Sequence, residues 1–290
     1  MARRELAPAA QAAIAGVLVS PKFELIPLKN VDEQAAFLPP DATVSVTASP
    51  AKGIEATVEL CERLQGKGFR VIPHLSARMI RDRGHLAELL ARIDAAGIDH
   101  AFVVGGDAEQ PGDYRDGLSL LRAMADIGSG LTDIGVPCYP DGHAVIPEAA
   151  LRQALADKQP FVHSMTTQMC FDAGAITTWL AGRRAAGITL PVWIGLPGVA
   201  ELHKLMLISA RIGVADTKRF LAKNTQLVGR LVRPGGYSPH GLLEGLAPAL
   251  AEPTAKITGL HIYTFNQVET TEEWRQRYLE RLTASVTASA

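Results

Sequence analysis

Residues 22–29 read KFELIPLK, a short apolar run with one carboxylate, Glu24, between Phe23 and Leu25. Such a run predicts a buried strand, and a carboxylate inside it is costly unless it is paired or used. By itself the segment fits equally well an edge strand whose Glu24 is turned to water. Four later segments in which a polar group follows an apolar run favour a shared site at one end of a parallel barrel.

Apolar runs and amphipathic stretches alternate along the rest of the chain. Strands are predicted at 22–28, 43–47, 69–75, 100–107, 133–140, 160–168, 190–196 and 256–266. Helices are predicted at 53–68, 81–97, 113–127, about 147–158, 173–187, a broken stretch over 199–250, and 270–284. The strands are nearly continuous apolar runs, which is typical of parallel strands covered on both faces.

Eight strand–helix units predict a single-domain (β/α)8 TIM barrel over residues 1–290, with residues 1–20 as an N-terminal arm or helix over one barrel end. The alternative is an open doubly wound sheet. It is less favoured because VVGGDAEQPG (103–112), the glycine-rich strand end, lacks the GxGxxG spacing of a dinucleotide-binding turn.

Composition narrows the classes of function. The 290 residues carry a net charge of −1 and no long basic run, which argues against a nucleic acid partner. The three cysteines form no CxxC pair, so we expect neither a disulfide framework nor a zinc site, and we expect a reducing, cytoplasmic location. No run is long enough to span a bilayer, and we expect no membrane partner. Apolar outer helices permit a homo-oligomer.

In barrels of this type the active site lies at the C-terminal ends of the strands. The polar residues near the predicted ends are Glu24, Thr47, His74, Ser76, Asp107, Tyr139, Asp141, His143, Gln168, Asp172, Tyr263 and Asn266. The chain shows no serine nucleophile elbow, no HExxH motif and no lysine at a strand end that would form a Schiff base. His74, Asp107 and His143 have no diagnostic ligand spacing, so no metal is predicted.

Several short segments carry a resemblance to a known family. In order, they are FELIPLK, SVTAS, PHLS, GGD, CYPDGH, TTQMCFD, IGLPGVAELHK and IYTFN. The chain therefore resembles the methylenetetrahydrofolate reductases, whose bacterial members carry FEFFPP, SVTYG, PHLT, RGD, YPEGHP, TQFFFD, PGI and YTLNR at matching strand ends. The resemblance runs from about Phe23 to Asn266. It implies a (β/α)8 barrel that binds FAD and transfers hydride between NADH or NADPH and the one-carbon unit of tetrahydrofolate.

The resemblance implies two catalytic residues. Glu24 matches the family's acid, which protonates the folate so that the methylene bridge opens to an iminium. Such an acid must be kept protonated, and we expect burial between Phe23 and Leu25 to favour that form. Asp107 matches an aspartate that lies near both flavin and pterin.

Further contacts are implied for the cofactor and the substrate. The residues implied on the flavin side are Thr47, His74, Gly106, Asp107, Tyr139 and His143. Those implied on the folate side are Gln168, Phe171 and Tyr263. Gln168 suits a pterin because an amide both donates and accepts hydrogen bonds.

The chain departs from the family at several of these positions. The arginine before GD is Gly105 here, and Arg115 is a candidate to replace its charge. The folate-side glutamine is Lys204, which can pair with the glutamate tail of folate. The arginine of YTLNR is Gln267, which we also place on the substrate side. The helix that holds the FAD diphosphate aligns loosely, with Arg152 and Lys158 as the candidate cations.

These departures leave three interpretations open. The first is a reductase that uses FAD and NADH or NADPH on methylene- or methyl-tetrahydrofolate. The second is a flavin-independent dehydrogenase of a pterin one-carbon carrier on the same barrel. The third is a non-catalytic folate-binding subunit, because a fold alone does not determine an activity.

Overall fold

The computed structural model of the chain describes residues 6–143, 145–199 and 238–288. Eight parallel strands close into one barrel, in which each strand pairs with the next along the chain and the eighth pairs with the first. The predicted (β/α)8 fold is therefore confirmed.

The strands are β1 (Lys22–Leu25), β2 (Thr43–Val46), β3 (Arg70–Ser76), β4 (His100–Val104), β5 (Asp133–Cys138), β6 (Ser164–Thr167), β7 (Val192–Pro197) and β8 (Ile257–Tyr263). The helices of the described ranges are α1 (Pro8–Val19), α2 (Val31–Ala35), α3 (Gly53–Gln65), α4 (Arg83–Ala95), α5 (Gly117–Ile127), α6 (Glu148–Lys158), α7 (Ala173–Ala185), α8 (His240–Leu250) and α9 (Val268–Ala288). The sequence did not predict α2, which is too short to show a helical period. Most of the broken stretch predicted over 199–250 lies outside the described residues.

Alternation along β1 decides which side chains reach the barrel interior. Phe23 and Leu25 point outward into the core beneath the helices and are 1% and 0% exposed. Lys22 and Glu24 point inward, because successive side chains of a strand lie on opposite faces. The apolar character of KFEL therefore belongs to the outer face, and its two charges belong to the interior.

The interior of the barrel is polar near the N-terminal ends of the strands. Interiors of such barrels are usually filled by bulky branched side chains. Here a small cavity is lined in part by Lys22, Ser45, His100, Asp133, Ser164, Thr166 and His261. The Lys22 ammonium lies 4.0 Å from the ring centre of Trp193. Burial lowers the pKa of Lys22 to about 8, and the nearby Asp133 charge opposes that shift.

The N-terminal segment forms the helix α1, which packs against α8, α9 and β8. Its residues Ile14 and Leu18 are fully buried. Arg275 of α9 donates to the carbonyl of Leu18 at 2.6 Å and is paired with Glu272, so it satisfies a carbonyl at the C-terminal end of α1. Within the described part of the chain, no helix combines the length and the apolar character needed to cross a bilayer.

Candidate active site

Glu24 is the centre of a buried cluster at the C-terminal end of β1. Its Oε2 atom lies 3.1 Å from Nε2 of His261 on β8 and 3.8 Å from Nε2 of His74 on β3. The Glu24 side chain is 14% exposed, whereas the His74 and His261 side chains are 9% and 3% exposed. The carboxylate therefore keeps a small accessible surface, while the two histidines lie beneath it.

His74 is held as a neutral imidazole. Its Nε2 lies 2.6 Å from the hydroxyl of Ser45, and its ring packs at 4.8 Å, centre to centre, on Phe102. Burial lowers the pKa of His74 to about 4, and the neighbouring Glu24 charge offsets this only in part. The resemblance implied a flavin contact for His74, but its ring is engaged with Ser45 and Phe102 inside the barrel.

The expected surroundings of Glu24 need a correction. We expected Phe23 and Leu25 to provide an apolar environment, but both point to the opposite face of the strand. The groups that approach the carboxylate are two imidazoles, His261 from β8, which pairs with β1, and His74 from β3, which lies beyond β2. Sequence reasoning did not select His261, although it lies two residues before Tyr263 and shares its inward direction.

Tyr263 is brought close to this cluster. Its hydroxyl donates to the carbonyl of Thr167 at the end of β6 at 3.0 Å, and its ring lies 4.9 Å from that of His261. Burial, and after it the Glu24 charge, raises the pKa of Tyr263 well above its usual value, so it stays a phenol. The Tyr263 hydroxyl is therefore neutral, and its proton is already engaged by the Thr167 carbonyl.

The segment after β8 fixes the backbone next to Glu24. The Thr264 hydroxyl donates to the carbonyl of Glu24 at 2.6 Å. The Asn266 amide accepts from the backbone N–H of Ile26 at 2.8 Å and donates to its carbonyl at 2.9 Å. Phe265 and Asn266 both adopt positive φ angles, of 52° and 51°. Asn266, a candidate from the sequence, therefore holds β1 and β8 together at their ends.

The ends of β3 and β4 approach each other at Gly106. Its φ is +81°, and a Cβ atom there would overlap the hydroxyl of Ser76. Arg78 donates from Nε to the carbonyl of Ala108 at 2.7 Å and from Nη2 to that of Glu109 at 3.1 Å. These bonds support the loop that carries Asp107, which is exposed.

Sequence reasoning missed Arg78. Because the family's arginine is replaced by Gly105, we looked for a substitute at Arg115, but the arginine that contacts this loop comes from the end of β3. The available signal was a basic residue two positions after a predicted strand-end serine, Ser76.

Three residues implied on the flavin side lie near the ends of β2 and β5. The N–H of Thr47 donates to the carbonyl of Leu25 at 3.0 Å. Tyr139 and His143 make an edge-to-face contact at 5.2 Å. Burial, and then the Cys138 thiol, raises the pKa of Tyr139 to about 12, and burial lowers that of His143. Nδ1 of His143 accepts from the backbone of the following loop, so this ring orders its own loop.

Two of the cations predicted on the cofactor side, Lys158 and Arg115, lie near the start of α5. Lys158 ends beside Gly117 at the start of α5, and Arg115 is exposed two residues earlier. Asp116, next to Arg115 in the sequence, accepts with its carboxylate from the N–H of Ser119, and its charge raises the pKa of Lys158 against the larger effect of burial. A carboxylate therefore already occupies the N-terminal end of α5, where a helix can otherwise bind an anion. The described residues thus leave no free helix N-terminus for a diphosphate at this place.

Four residues implied on the folate side lie at or just after the ends of β6 and β8. Gln168 is exposed and accepts with its side-chain oxygen from the N–H of Met169 at 2.8 Å. Phe171 is half-buried. Nε2 of Gln267 is buried without a hydrogen-bond partner in the described ranges. Lys204 lies outside the described residues.

A metal centre is not indicated where the chain is described. No group of three or more histidine, cysteine, aspartate or glutamate side chains there is arranged to hold an ion. His74 is buried inside the barrel, whereas Asp107 and His143, the other two residues weighed as ligands, are exposed.

Comparisons with known proteins give distant likenesses. No family model matches the sequence. The chain is similar to a muconate cycloisomerase from Azorhizobium caulinodans, with 12% identity and a TM-score of 0.43, over 88% of this chain and 58% of that one. It is similar to a dihydropteroate synthase from Xanthomonas albilineans with 4-aminobenzoic acid, with 15% identity and a TM-score of 0.44, over 94% and 95% of the two chains.

A third likeness is to a putative lyase/mutase from Burkholderia cenocepacia, with 15% identity and a TM-score of 0.47, over 97% of this chain and 88% of that one. Of these three, the muconate cycloisomerase is covered least: this chain spans less than two thirds of its length. At such identities and scores these likenesses carry no information on activity.

Proposed function

We propose that this chain interconverts 5,10-methylenetetrahydrofolate and 5-methyltetrahydrofolate, with NADH or NADPH as the source or acceptor of hydride. The observation that carries the proposal is the placement of Glu24. It faces the barrel interior at the C-terminal end of β1, where the sequence motifs require the acid, and it keeps an accessible surface. Tyr263 and Asp107 stand at the ends of other strands on the same side of the barrel.

In the proposed reaction Glu24 acts as the general acid. Its proton passes to the nitrogen whose bond to the methylene carbon breaks, and the other nitrogen forms the iminium. Hydride addition to that carbon then gives the methyl group, and Glu24 is left as a carboxylate that solvent reprotonates. A positioned acid of this kind contributes about 10²- to 10⁴-fold to the rate.

The proposal also concerns the cofactor that delivers hydride to the folate. The resemblance implies FAD, which when bound relays hydride from the nicotinamide to the folate. Thr47, Tyr139 and His143 are the residues that would contact its ring. Because Asp116 already occupies the start of α5 near two of the candidate cations, no step above is routed through FAD.

The position of Asp116 favours a second candidate, a flavin-independent dehydrogenase on this barrel. Asp116 places a carboxylate at the N-terminal end of α5, next to Arg115 and close enough to Lys158 to raise its pKa, where it would repel a flavin diphosphate. Hydride then passes directly from the nicotinamide to the iminium carbon. A visible spectrum of the purified protein distinguishes the two: flavin absorbance bands that bleach anaerobically with methyltetrahydrofolate support FAD, and their absence in a protein that turns over folate supports direct transfer.

The test of the function is Glu24→Gln. Glutamine keeps the size of the side chain but has no acidic proton, so folate-dependent oxidation of the reduced nicotinamide should fall at least about 100-fold. Binding of folate, measured by calorimetry, should change far less. Glu33→Gln on the exposed surface of α2 is the matched control and should behave as the wild type.

Two results would contradict the proposal. Turnover of folate that survives in Glu24→Gln would remove the acid from the mechanism. Wild-type protein that binds folate but consumes no reduced nicotinamide would instead support a non-catalytic folate-binding subunit.

A further inference from the structure

Both histidines next to Glu24 approach the same carboxylate oxygen. Nε2 of His261 is 3.1 Å from Oε2, and Nε2 of His74 is 3.8 Å from that same atom. No hydrogen bond joins Oε1 to another side chain or backbone group in the described ranges. The two oxygens of this carboxylate therefore stand in different surroundings, one engaged by the protein and one not.

Of the two histidines, His261 is the one within hydrogen-bonding distance of the carboxylate. Nε2 of His74 lies closer to the hydroxyl of Ser45, at 2.6 Å, than to Glu24. Because His74 is a neutral ring, its approach to Glu24 is not an ion pair. His261 therefore makes the contact through which the protein orients the carboxyl group.

The other groups that face Glu24 are engaged elsewhere. Tyr263 donates its proton to the carbonyl of Thr167. Lys22, on the same inward face of β1, lies deeper and against the ring of Trp193. Among described residues, His261 is thus the one titratable side chain that makes a hydrogen bond with this carboxylate.

A single hydrogen bond from His261 can serve both protonation states of Glu24. If Nε2 of His261 carries a proton, it donates to Oε2 whether Glu24 is an acid protonated on Oε1 or a carboxylate. The acid then gives and regains its proton without rotating. An acid protonated on Oε2 would instead have to donate to the histidine, and its proton would point into the barrel and away from a ligand.

We propose that His261 is a positioning residue that reserves Oε2 of Glu24 for the protein, so that Oε1 carries the proton given to the ligand. This inference rests on the proposed function for the fate of the proton. The pairing of His261 with Glu24 can be tested without that function.

The first experiment compares two substitutions in the full chain. His261→Gln retains an N–H group that can donate to Oε2, whereas His261→Leu does not. Loss of this bond should lower folate turnover about tenfold or more in the leucine variant and shift the limb of its pH–rate profile that belongs to the acid. The glutamine variant should recover a large part of both, and the KM for folate should change little because His261 is 3% exposed.

The second experiment does not depend on turnover. Nitrogen-15 NMR of the imidazoles reports which ring nitrogen carries the proton, and His261→Gln identifies the His261 signals among the eight histidines. We expect an Nε2–H ring in the wild type and a clear shift of its Nε2 signal in Glu24→Gln. Both proteins retain His261, so instability of the leucine variant does not affect this measurement.

The outcomes separate the inference from the proposed function. His261 signals that are unchanged in Glu24→Gln, or equal turnover and pH profiles in the leucine and glutamine variants, would overturn the positioning role. Signals that shift as expected in a protein that consumes no reduced nicotinamide with folate would support the pairing and reject the proposed function alone.

Discussion

At the scale of single residues, two neighbouring glycines after β4 differ in whether the structure has room for a side chain. Gly106 has a φ of +81°, and a side chain there would overlap Ser76, whereas a Cβ atom at Gly105 would meet nothing within 4 Å. Gly106 therefore allows the ends of β3 and β4 to approach closely. Asp107 follows directly, so its position depends on this backbone geometry.

We expect Gly106→Ala to destabilise the protein and Gly105→Ala to leave it unchanged or slightly more stable. A left-handed conformation costs a non-glycine residue about 1 to 2 kcal/mol, and the overlap with Ser76 adds to this. For a chain of this size the melting temperature should fall by at least about 2 °C. Differential scanning calorimetry of both variants provides the measurement.

The double variant Gly106→Ala, Ser76→Gly tests the cause. Removing the Ser76 side chain should restore part of the lost stability but not the part that comes from the positive φ. Equal melting temperatures for the two single alanine variants would show that neither effect operates.

At the scale of elements, the segment after β8 holds the end of β1 by side chains and not by strand pairing. Thr264 donates to the carbonyl of Glu24, and Asn266 satisfies both the N–H and the carbonyl of Ile26. Asparagine also tolerates the positive φ found at position 266 better than most residues. The backbone on the C-terminal side of Glu24 is thus fixed from a part of the chain 240 residues away.

Asn266→Ala should therefore be strongly destabilising. It leaves the buried N–H of Ile26 without a partner and removes one of the two donors to its carbonyl, which still accepts from the N–H of Leu28, at a cost of about 1 to 3 kcal/mol in the free energy of unfolding. Urea denaturation followed by circular dichroism measures this change. Asn30→Ala is the matched control, since exposed Asn30 only accepts one further bond from Asn266, at 3.3 Å, and should cost less than about 0.5 kcal/mol.

A loss in Asn266→Ala no larger than in Asn30→Ala would mean that the asparagine does not hold the two strands together. Because both substitutions remove an amide from the same small network, the comparison isolates the contacts to Ile26.

At the scale of the whole molecule, polar groups inside the barrel make stability depend on pH. His74 has a pKa of about 4 in the folded protein and 6.5 as its ordinary value, chiefly because of burial. Between these values the unfolded chain binds a proton at His74 that the folded barrel does not. Acidification therefore favours the unfolded state within this window.

We expect the free energy of unfolding to fall as the pH decreases from about 6.5 to about 4, with His74 contributing up to about 3 kcal/mol. Urea denaturation at a series of pH values measures the slope. His74→Gln should flatten it, and His163→Gln, at an exposed histidine, should not. An unchanged slope in His74→Gln would assign the acid sensitivity to other groups.

The sequence alone was sufficient for the order of the elements and for the closed parallel barrel. Uninterrupted apolar runs indicate strands that are buried on both faces, and a helical period of apolar residues indicates the helices that cover them. Both patterns can be read within a short segment of the chain. Strand ends were predicted too long because apolar residues such as Ile26 continue past the last ladder bond. The short helix α2 left no periodic signal.

For the candidate site, the sequence indicated the strand ends and Glu24 but not the groups that act on it. His261 is 237 residues from Glu24 along the chain, and Arg78 reaches the loop after β4 from the turn that follows β3. Barrel closure alone brings such residues together. The tertiary structure also decided that Phe23 and Leu25 lie outside and Glu24 inside, because the face on which a strand residue lies depends on register, which the barrel as a whole determines.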